Sequence, residues 1–234
     1  MKKFSMLGYD CVRARIYFQV FIENGLIPSK VLLLKPPRNL DRHVDRHALR
    51  FVEQGGGKIG RSLKAELAKY VDLDVEYLRR SVISDDAVWE WVDGCVDSLV
   101  VFCGIDGVIL PKSLLETGKT FLHAHGGYLP NYRGSTCFYY SLLSDQRLGV
   151  SVIEMNDVID GGRVLQRRWY QPPSDRQSID FFYDSYTRAL SLVEFLKNPD
   201  HCPATAVNFA EDNDHLGDNY YVIHPLLKHL AILS

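Results

Sequence analysis

Residues 121–138 read FLHAHGGYLPNYRGSTCF. With Thr120 in front, the apolar run predicts a β-strand over Thr120–His125, on which residues two apart share a face, so His123 and His125 point together. Gly126-Gly127 ends the strand, Leu129-Pro130 and Arg133-Gly134 prolong the turn, and a helix is expected over Ser135–Leu143. Two titratable rings therefore stand where an extended segment stops, which is the strand end at which parallel-sheet proteins bind ligands.

Outward from this stretch the pattern is α/β. Ser98–Cys103 (SLVVFC) and Ser29–Lys35 (SKVLLLK) are continuous apolar runs of strand length, the mark of strands buried on both faces of a parallel sheet. The chain opens as a strand at Lys2–Leu7, a helix over Cys11–Glu23 closed by Asn24-Gly25, and the Ser29 strand, a βαβ unit. A further strand is expected over Arg79–Ser84, a helix capped by Asp85-Asp86 through Val92, and a short helix from Pro111. Downstream, Gly149–Met155 is a strand, NDVIDGG (residues 156–162) a tight loop, and Arg163–Tyr170 an antiparallel return. A long amphipathic helix over Ile179–Lys197 and a docking segment from Tyr220 to Leu233 complete the reading. The fold class is thus α/β: a mostly parallel central sheet with an antiparallel hairpin, flanked by helices, plus a short C-terminal helical extension. Residues 1–170 are expected to form the main domain and 171–234 an extension packed on it, effectively one domain. Residues 39–70 mix a charged helical pattern with Gly55-Gly56-Gly57 and read as a mobile flap, where His43 and His47 belong to a solvated helix face.

Composition limits the partners. The 234 residues carry a net charge of −2, with 24% charged and 46% apolar residues, which gives no global attraction to nucleic acid or an anionic membrane. The five cysteines are scattered, with no CxxC, so neither a disulfide framework nor structural zinc is expected and a reducing, cytoplasmic setting fits. Cys103 and Cys137 read as small buried hydrophobes. The N-terminal MKKFSMLGYDC lacks the apolar stretch of a signal peptide, and no run is long enough for a spanning helix.

The histidine pair asks for a third polar partner, and local chemistry points to Asp160 in the NDVIDGG loop: a carboxylate can set a histidine's basicity for proton transfer near neutral pH. A purely structural pair and a divalent-ion site remain open on the same residues.

His123-Ala-His125-Gly-Gly-Tyr-Leu-Pro-Asn-Tyr-Arg-Gly, preceded by Val108-Ile-Leu-Pro-Lys and followed by Leu148-Gly-Val-Ser-Val, Met155 and Ile159-Asp160-Gly-Gly-Arg-Val-Leu, resembles the formyltransferase family that draws on 10-formyltetrahydrofolate, most closely its compact sugar N-formyltransferases. The match runs over Ser98–Tyr170, about a third of the chain. The resemblance implies a Rossmann-like formyltransferase fold and formyl transfer to an amine by a signature of asparagine, histidine two residues later, and aspartate in the later loop. His125 stands on the family histidine and Asp160 on the family aspartate, whereas His123 stands where the family has asparagine. By this resemblance His123 and His125 would donate hydrogen bonds to the formyl oxygen as it gains charge, each worth about 3–4 kcal/mol when well aimed. Asp160 would accept the amine proton, directly or through His125 or a water.

The resemblance further implies a folate site along Phe102, Cys103, Gly104, Ile109 and Leu110 and the loop of Asn156 and Val158. The acceptor side would include Gly8, Tyr9, Tyr128, Tyr132 and Arg133, although Arg133 reads equally well as a cation bracing its loop. No metal is assigned. Gly8-Tyr9-Asp10-Cys11 is a poor phosphate nest, which disfavours glycinamide ribonucleotide as acceptor. Only about sixty residues follow Tyr170, too few for the RNA-binding domain of enzymes acting on initiator tRNA. The expected acceptor is a small amine, foremost a nucleotide-linked amino sugar. A metal-dependent hydrolase and a folate-binding protein without turnover are the alternatives, and the Ile179–Lys197 helix is a candidate homodimer contact.

Overall fold

A computed structural model describes residues 2–36, 67, 73–79, 82–105, 108–199 and 219–233. The expected flap at 39–70, with His43 and His47, lies outside the described residues apart from Leu67. In chain order the elements are β1 (Ser5–Tyr9), α1 (Val12–Glu23), β2 (Lys30–Leu34), β3 (Asp74–Leu78), α2 (Asp86–Asp93), β4 (Leu99–Cys103), α3 (Lys112–Leu115), β5 (Thr120–His125) and β6 (Arg133–Gly134). They continue with α4 (Cys137–Asp145), β7 (Leu148–Glu154), β8 (Arg163–Tyr170), a π-helical turn (Ile179–Tyr183), α5 (Asp184–Lys197), β9 (Asn219–Tyr220) and α6 (Pro225–Leu233). Seven strands form one sheet in the order β3-β2-β1-β4-β5-β7-β8, and β6 and β9 form a separate pair. The chain divides into two compact units, Met1–Leu122 and His123–Ser234.

In the first unit, β1 lies between β2 and β4, parallel to both, and all five of its residues are buried. Its neighbours are equally apolar: Val31, Leu32, Leu33 and Leu34 of β2 and Val100, Val101 and Phe102 of β4 have almost no exposure. Each such side chain contributes about 1.5–3 kcal/mol on burial, which is why continuous apolar runs settle here. The Asp85 carboxylate accepts from the Ala87 N–H at 3.1 Å and caps α2. The strand expected at Arg79–Ser84 is absent from its described residues, which turn at 83–84. The outer strand is instead Asp74–Leu78, parallel to β2, with Glu76 paired to Lys30 at 3.0 Å. An edge strand tolerates the exposed acids of DVEYL, a pattern that a search for apolar runs passes over.

In the second unit, β7 is buried along nearly its whole length and pairs antiparallel with β8, from Leu148 opposite Tyr170 to Glu154 opposite Arg163. Leu129, Ile153 and Val164 form a small apolar core under the turn after β5. Helix α5 is tied to the hairpin, with the Gln166 amide donating to Glu194 at 3.0 Å and Tyr170 bonded to Ser191 at 2.8 Å. The helix expected over Ile179–Lys197 starts as a π-turn and becomes α-helical at Asp184. Helix α4 starts at Cys137, two residues later than expected, because Thr136 before it has a left-handed backbone, φ 53°, that a right-handed helix cannot include. The segment after Tyr170 supplies α5, β9 and α6 to this unit, and α6 packs on α4. No helix among the described residues is long and apolar enough to cross a membrane.

Candidate active site

His125 is the last residue of β5 and its side chain is buried. Its Nδ1 lies 3.1 Å from Asp160 Oδ1, and its Nε2 lies 2.9 Å from the Tyr132 carbonyl oxygen. A carbonyl oxygen can only accept, so Nε2 carries a hydrogen; the carboxylate beside Nδ1 favours a second one there. Burial of the ring would lower its pKa, but the Asp160 charge and hydrogen bond, with Cys137 alongside, raise it to about 10. Burial would raise the Asp160 carboxyl, but the His125 charge and hydrogen bond, then His123 and the Gly134 N–H, hold it down to about 2. At neutral pH the pair is an imidazolium and a carboxylate, both in fixed positions.

The local sequence explains how the pair is held. The chain turns back after β5 so that the Tyr132 carbonyl reaches His125, and Gly127 is enclosed by that return: a Cβ there would stand 2.2 Å from the Tyr132 oxygen and 2.5 Å from His125 Nε2. Only glycine fits. The buried Ser151 hydroxyl accepts from the Leu129 N–H at 2.9 Å and donates to the Gly127 carbonyl at 2.7 Å, fastening the turn to β7. Asp160 has a left-handed backbone, φ 51°, which a short polar side chain tolerates, and its second oxygen accepts from the Gly134 N–H at 3.0 Å. Its loop is shaped by Asn156, whose amide donates to the Gly161 carbonyl and whose oxygen accepts from the Val158 N–H, both at 3.0 Å. Arg133 Nε donates to the Ile159 carbonyl at 3.0 Å, so Arg133 braces this loop.

His123, half-buried on the same strand, lies near enough to Asp160 to share in lowering its pKa. The three residues expected to converge, His123, His125 and Asp160, are thus together within the second unit. The other expected residues are placed differently. Tyr128 is stacked on Trp169 with ring centroids 4.4 Å apart, and the Arg167 guanidinium lies over its ring. Tyr132 is buried, its phenol bonded to Asp145; it serves the site through its backbone carbonyl rather than its ring. Val158 is exposed, as is Ile159 beside it. In the first unit, Tyr9, Phe102, Cys103 and Leu110 are core residues and Ile109 is exposed. Gly8 packs so closely on β4 that a Cβ would meet the Cys103 carbonyl at 2.7 Å, and the Gly104 carbonyl accepts from Arg13 at 3.1 Å. The Tyr132 carbonyl, the Gly134 N–H, Cys137 and Tyr220 were not expected as parts of the site. Two of these act through backbone atoms, which every residue type carries and no side-chain pattern reveals.

No family model matches the chain. Among curated proteins it is similar to the methionyl-tRNA formyltransferase of Ehrlichia chaffeensis, 32% identical over 99 residues that make up 41% of this chain and 32% of that protein. It is also similar to that of Desulfotalea psychrophila, 30% identical over 125 residues, or 48% of this chain and 39% of that protein. The matched stretches span between about a third and two-fifths of these relatives' lengths. In fold it is similar to a glycinamide ribonucleotide transformylase of Symbiobacterium toebii, with a TM-score of 0.57, 13% identity, and coverage of 84% of this chain and 86% of that one. A sugar N-formyltransferase from a Shewanella species gives a TM-score of 0.54 at 14% identity, covering 99% of this chain and 87% of that one. The fold is therefore the Rossmann-like α/β fold that these formyltransferase structures share. The chain is thus similar to methionyl-tRNA formyltransferases over 41–48% of its sequence, and in fold to formyltransferases over most of its length.

Proposed function

We propose that the chain is an N-formyltransferase that moves a formyl group from 10-formyltetrahydrofolate to the amine of a small acceptor, foremost a nucleotide-linked amino sugar. The observation that carries this reading is the His125–Asp160 ion pair, 3.1 Å between Nδ1 and Oδ1, at the family's histidine and aspartate positions on a strand end and its facing loop. The fold likeness to a sugar N-formyltransferase over 99% of the chain supports the choice of acceptor, since the ribonucleotide enzyme covers 84%.

The folate supplies the formyl group as an activated amide. The donor set fits such a group: a fixed cation, a half-buried imidazole beside it, and a loop whose Val158 and Ile159 side chains offer apolar surface. Val158 is the residue that would lie against its rings. As the acceptor amine attacks, the new N–C bond forms, the formyl oxygen gains negative charge, and the bond to the folate nitrogen then breaks. His125 meets that charge as a preorganised cation, already paid for by Asp160 and the Tyr132 carbonyl. With both N–H groups of His125 engaged, direct donation to the oxygen falls to His123, which replaces the family asparagine as hydrogen-bond donor. Asp160 therefore orients and charges His125 rather than taking the amine proton, since its two oxygens are engaged by the His125 ring and the Gly134 N–H. That proton leaves to water, and water returns a proton to the folate nitrogen as its bond to the formyl carbon breaks. The hydrolase reading needs His125 to lend a ring lone pair to a metal, and both of its ring nitrogens already face protein acceptors, Asp160 and the Tyr132 carbonyl.

The test is to supply 10-formyltetrahydrofolate with a panel of amino-sugar nucleotides and amino acids and to search by mass spectrometry for a product heavier by one formyl unit. A formylated amino-sugar nucleotide is the expected result. Binding of a folate analogue without formylation of any acceptor would favour the folate-binding reading instead.

A further inference from the structure

Three consecutive residues grip the dyad and its loop: the Tyr132 carbonyl accepts from His125, Arg133 donates to the Ile159 carbonyl, and the Gly134 N–H donates to Asp160. None of the three reaches these partners through an acidic or nucleophilic group, so their placement depends on what backs them. That backing comes from far along the chain. Strand β9 pairs parallel with β6, Asn219 opposite Arg133 and Tyr220 opposite Gly134, and the Tyr220 carbonyl accepts from the Ser135 N–H at 2.8 Å. The Tyr220 ring lies on Tyr132, centroids 5.6 Å apart at 23°, and on Tyr140 at 4.5 Å. The contact is so close that a Cβ on Gly134, whose φ is 100°, would stand 2.2 Å from the Tyr220 oxygen. Thr136 secures the next residues, its hydroxyl accepting from the Ile223 N–H at 2.9 Å and donating to the Tyr221 carbonyl at 3.3 Å.

We infer that the C-terminal strap, residues 219–223, is part of the active-site framework, and that Tyr220 is a positioning residue which fixes segment 132–134 and through it the geometry and protonation of the His125–Asp160 dyad. The inference takes the dyad as the centre of the proposed formyl transfer, but the strap's hold on it stands on the contacts alone. A second ring against Tyr132 restricts that residue to one position, so its carbonyl stays aimed at His125 Nε2; when the ring is removed, the carbonyl drifts and the imidazolium loses one of its two acceptors.

The experiment compares wild type with Tyr220→Ala, Tyr220→Phe and Thr136→Ala. It follows the His125 ring by nitrogen NMR through a pH titration, and kcat and KM in parallel. Tyr220→Ala is expected to lower the His125 titration midpoint by about one pH unit and kcat by about 10–100-fold, with little change in KM for the folate. Tyr220→Phe, which keeps the ring, restores both, and Thr136→Ala shifts both in the same direction by less. A folded Tyr220→Ala protein with wild-type titration and kcat overturns the inference, even if its melting temperature falls. Should Tyr220→Ala fail to fold, Thr136→Ala decides by the same readouts. If wild type formylates nothing, the titration still decides the strap's role, and only the proposed reaction is lost.

Discussion

At His125, two acceptors on one buried ring determine the chemistry. Asp160 and the Tyr132 carbonyl stand at its two nitrogens, and the resulting charge is the site's main electrostatic feature. Replacing Asp160 by Asn removes the partner that opposes the burial penalty, so the ring in Asp160→Asn is expected to be neutral at pH 8, as a nitrogen NMR spectrum will show; an unchanged imidazolium contradicts the assignment. The pair also makes stability depend on pH. His125 is raised from 6.5 to about 10, so its contribution is complete below pH 6.5 and fades as pH rises through 10. Asp160 is lowered from 3.8 to about 2, so its contribution is complete above pH 3.8 and fades as pH falls through 2. Both describe one ion pair. The stability gap between wild type and Asp160→Asn in urea is therefore expected to be widest near pH 5 and to narrow toward pH 10; a gap that grows with alkali runs against it. At His123 the donor role predicts that His123→Asn retains activity, whereas His123→Ala loses about 100-fold or more in kcat. An inactive His123→Asn would assign the imidazole to proton transfer. The histidines and Asp160 were legible in the sequence because i, i+2 spacing on a strand and an acid in a Gly-bounded loop are side-chain signals. The charge state was not, since it depends on a backbone carbonyl seven residues away.

At the scale of elements, the turn between β5 and α4 is the tool that builds the site. Gly127→Ala would force a Cβ into the space of the Tyr132 oxygen and His125 Nε2, and it is expected to lower kcat by about 10–100-fold while the circular dichroism spectrum keeps its α/β form. A fully active Gly127→Ala shows that the return of Tyr132 is dispensable. Ser151→Ala leaves the Leu129 N–H and the Gly127 carbonyl without their buried partner, a loss of about 1–3 kcal/mol in denaturant unfolding; no measurable change means the turn is held otherwise. The apolar strands β1, β2, β4 and β7 and the β7–β8 hairpin were readable because burial on both faces leaves a continuous hydrophobic run. Strand β3 was missed, since an edge strand escapes that constraint and carries Asp74 and Glu76. The pairing of β6 with β9 was also hidden: two residues pairing across 86 positions leave no periodicity to detect.

Across the whole molecule, composition narrowed the class and the order of elements gave the α/β architecture, while the proposed activity rests on how few atoms meet at one strand end. The likeness in sequence and fold to formyltransferases fits that arrangement, and His123 stands where the resemblance calls for asparagine. The most direct measurement sets wild type and Asp160→Asn side by side with 10-formyltetrahydrofolate and the acceptor found by mass spectrometry, and compares initial rates of formylated product. The account predicts that Asp160→Asn falls by at least about 100-fold while remaining folded. A folded Asp160→Asn enzyme that formylates at the wild-type rate would contradict it.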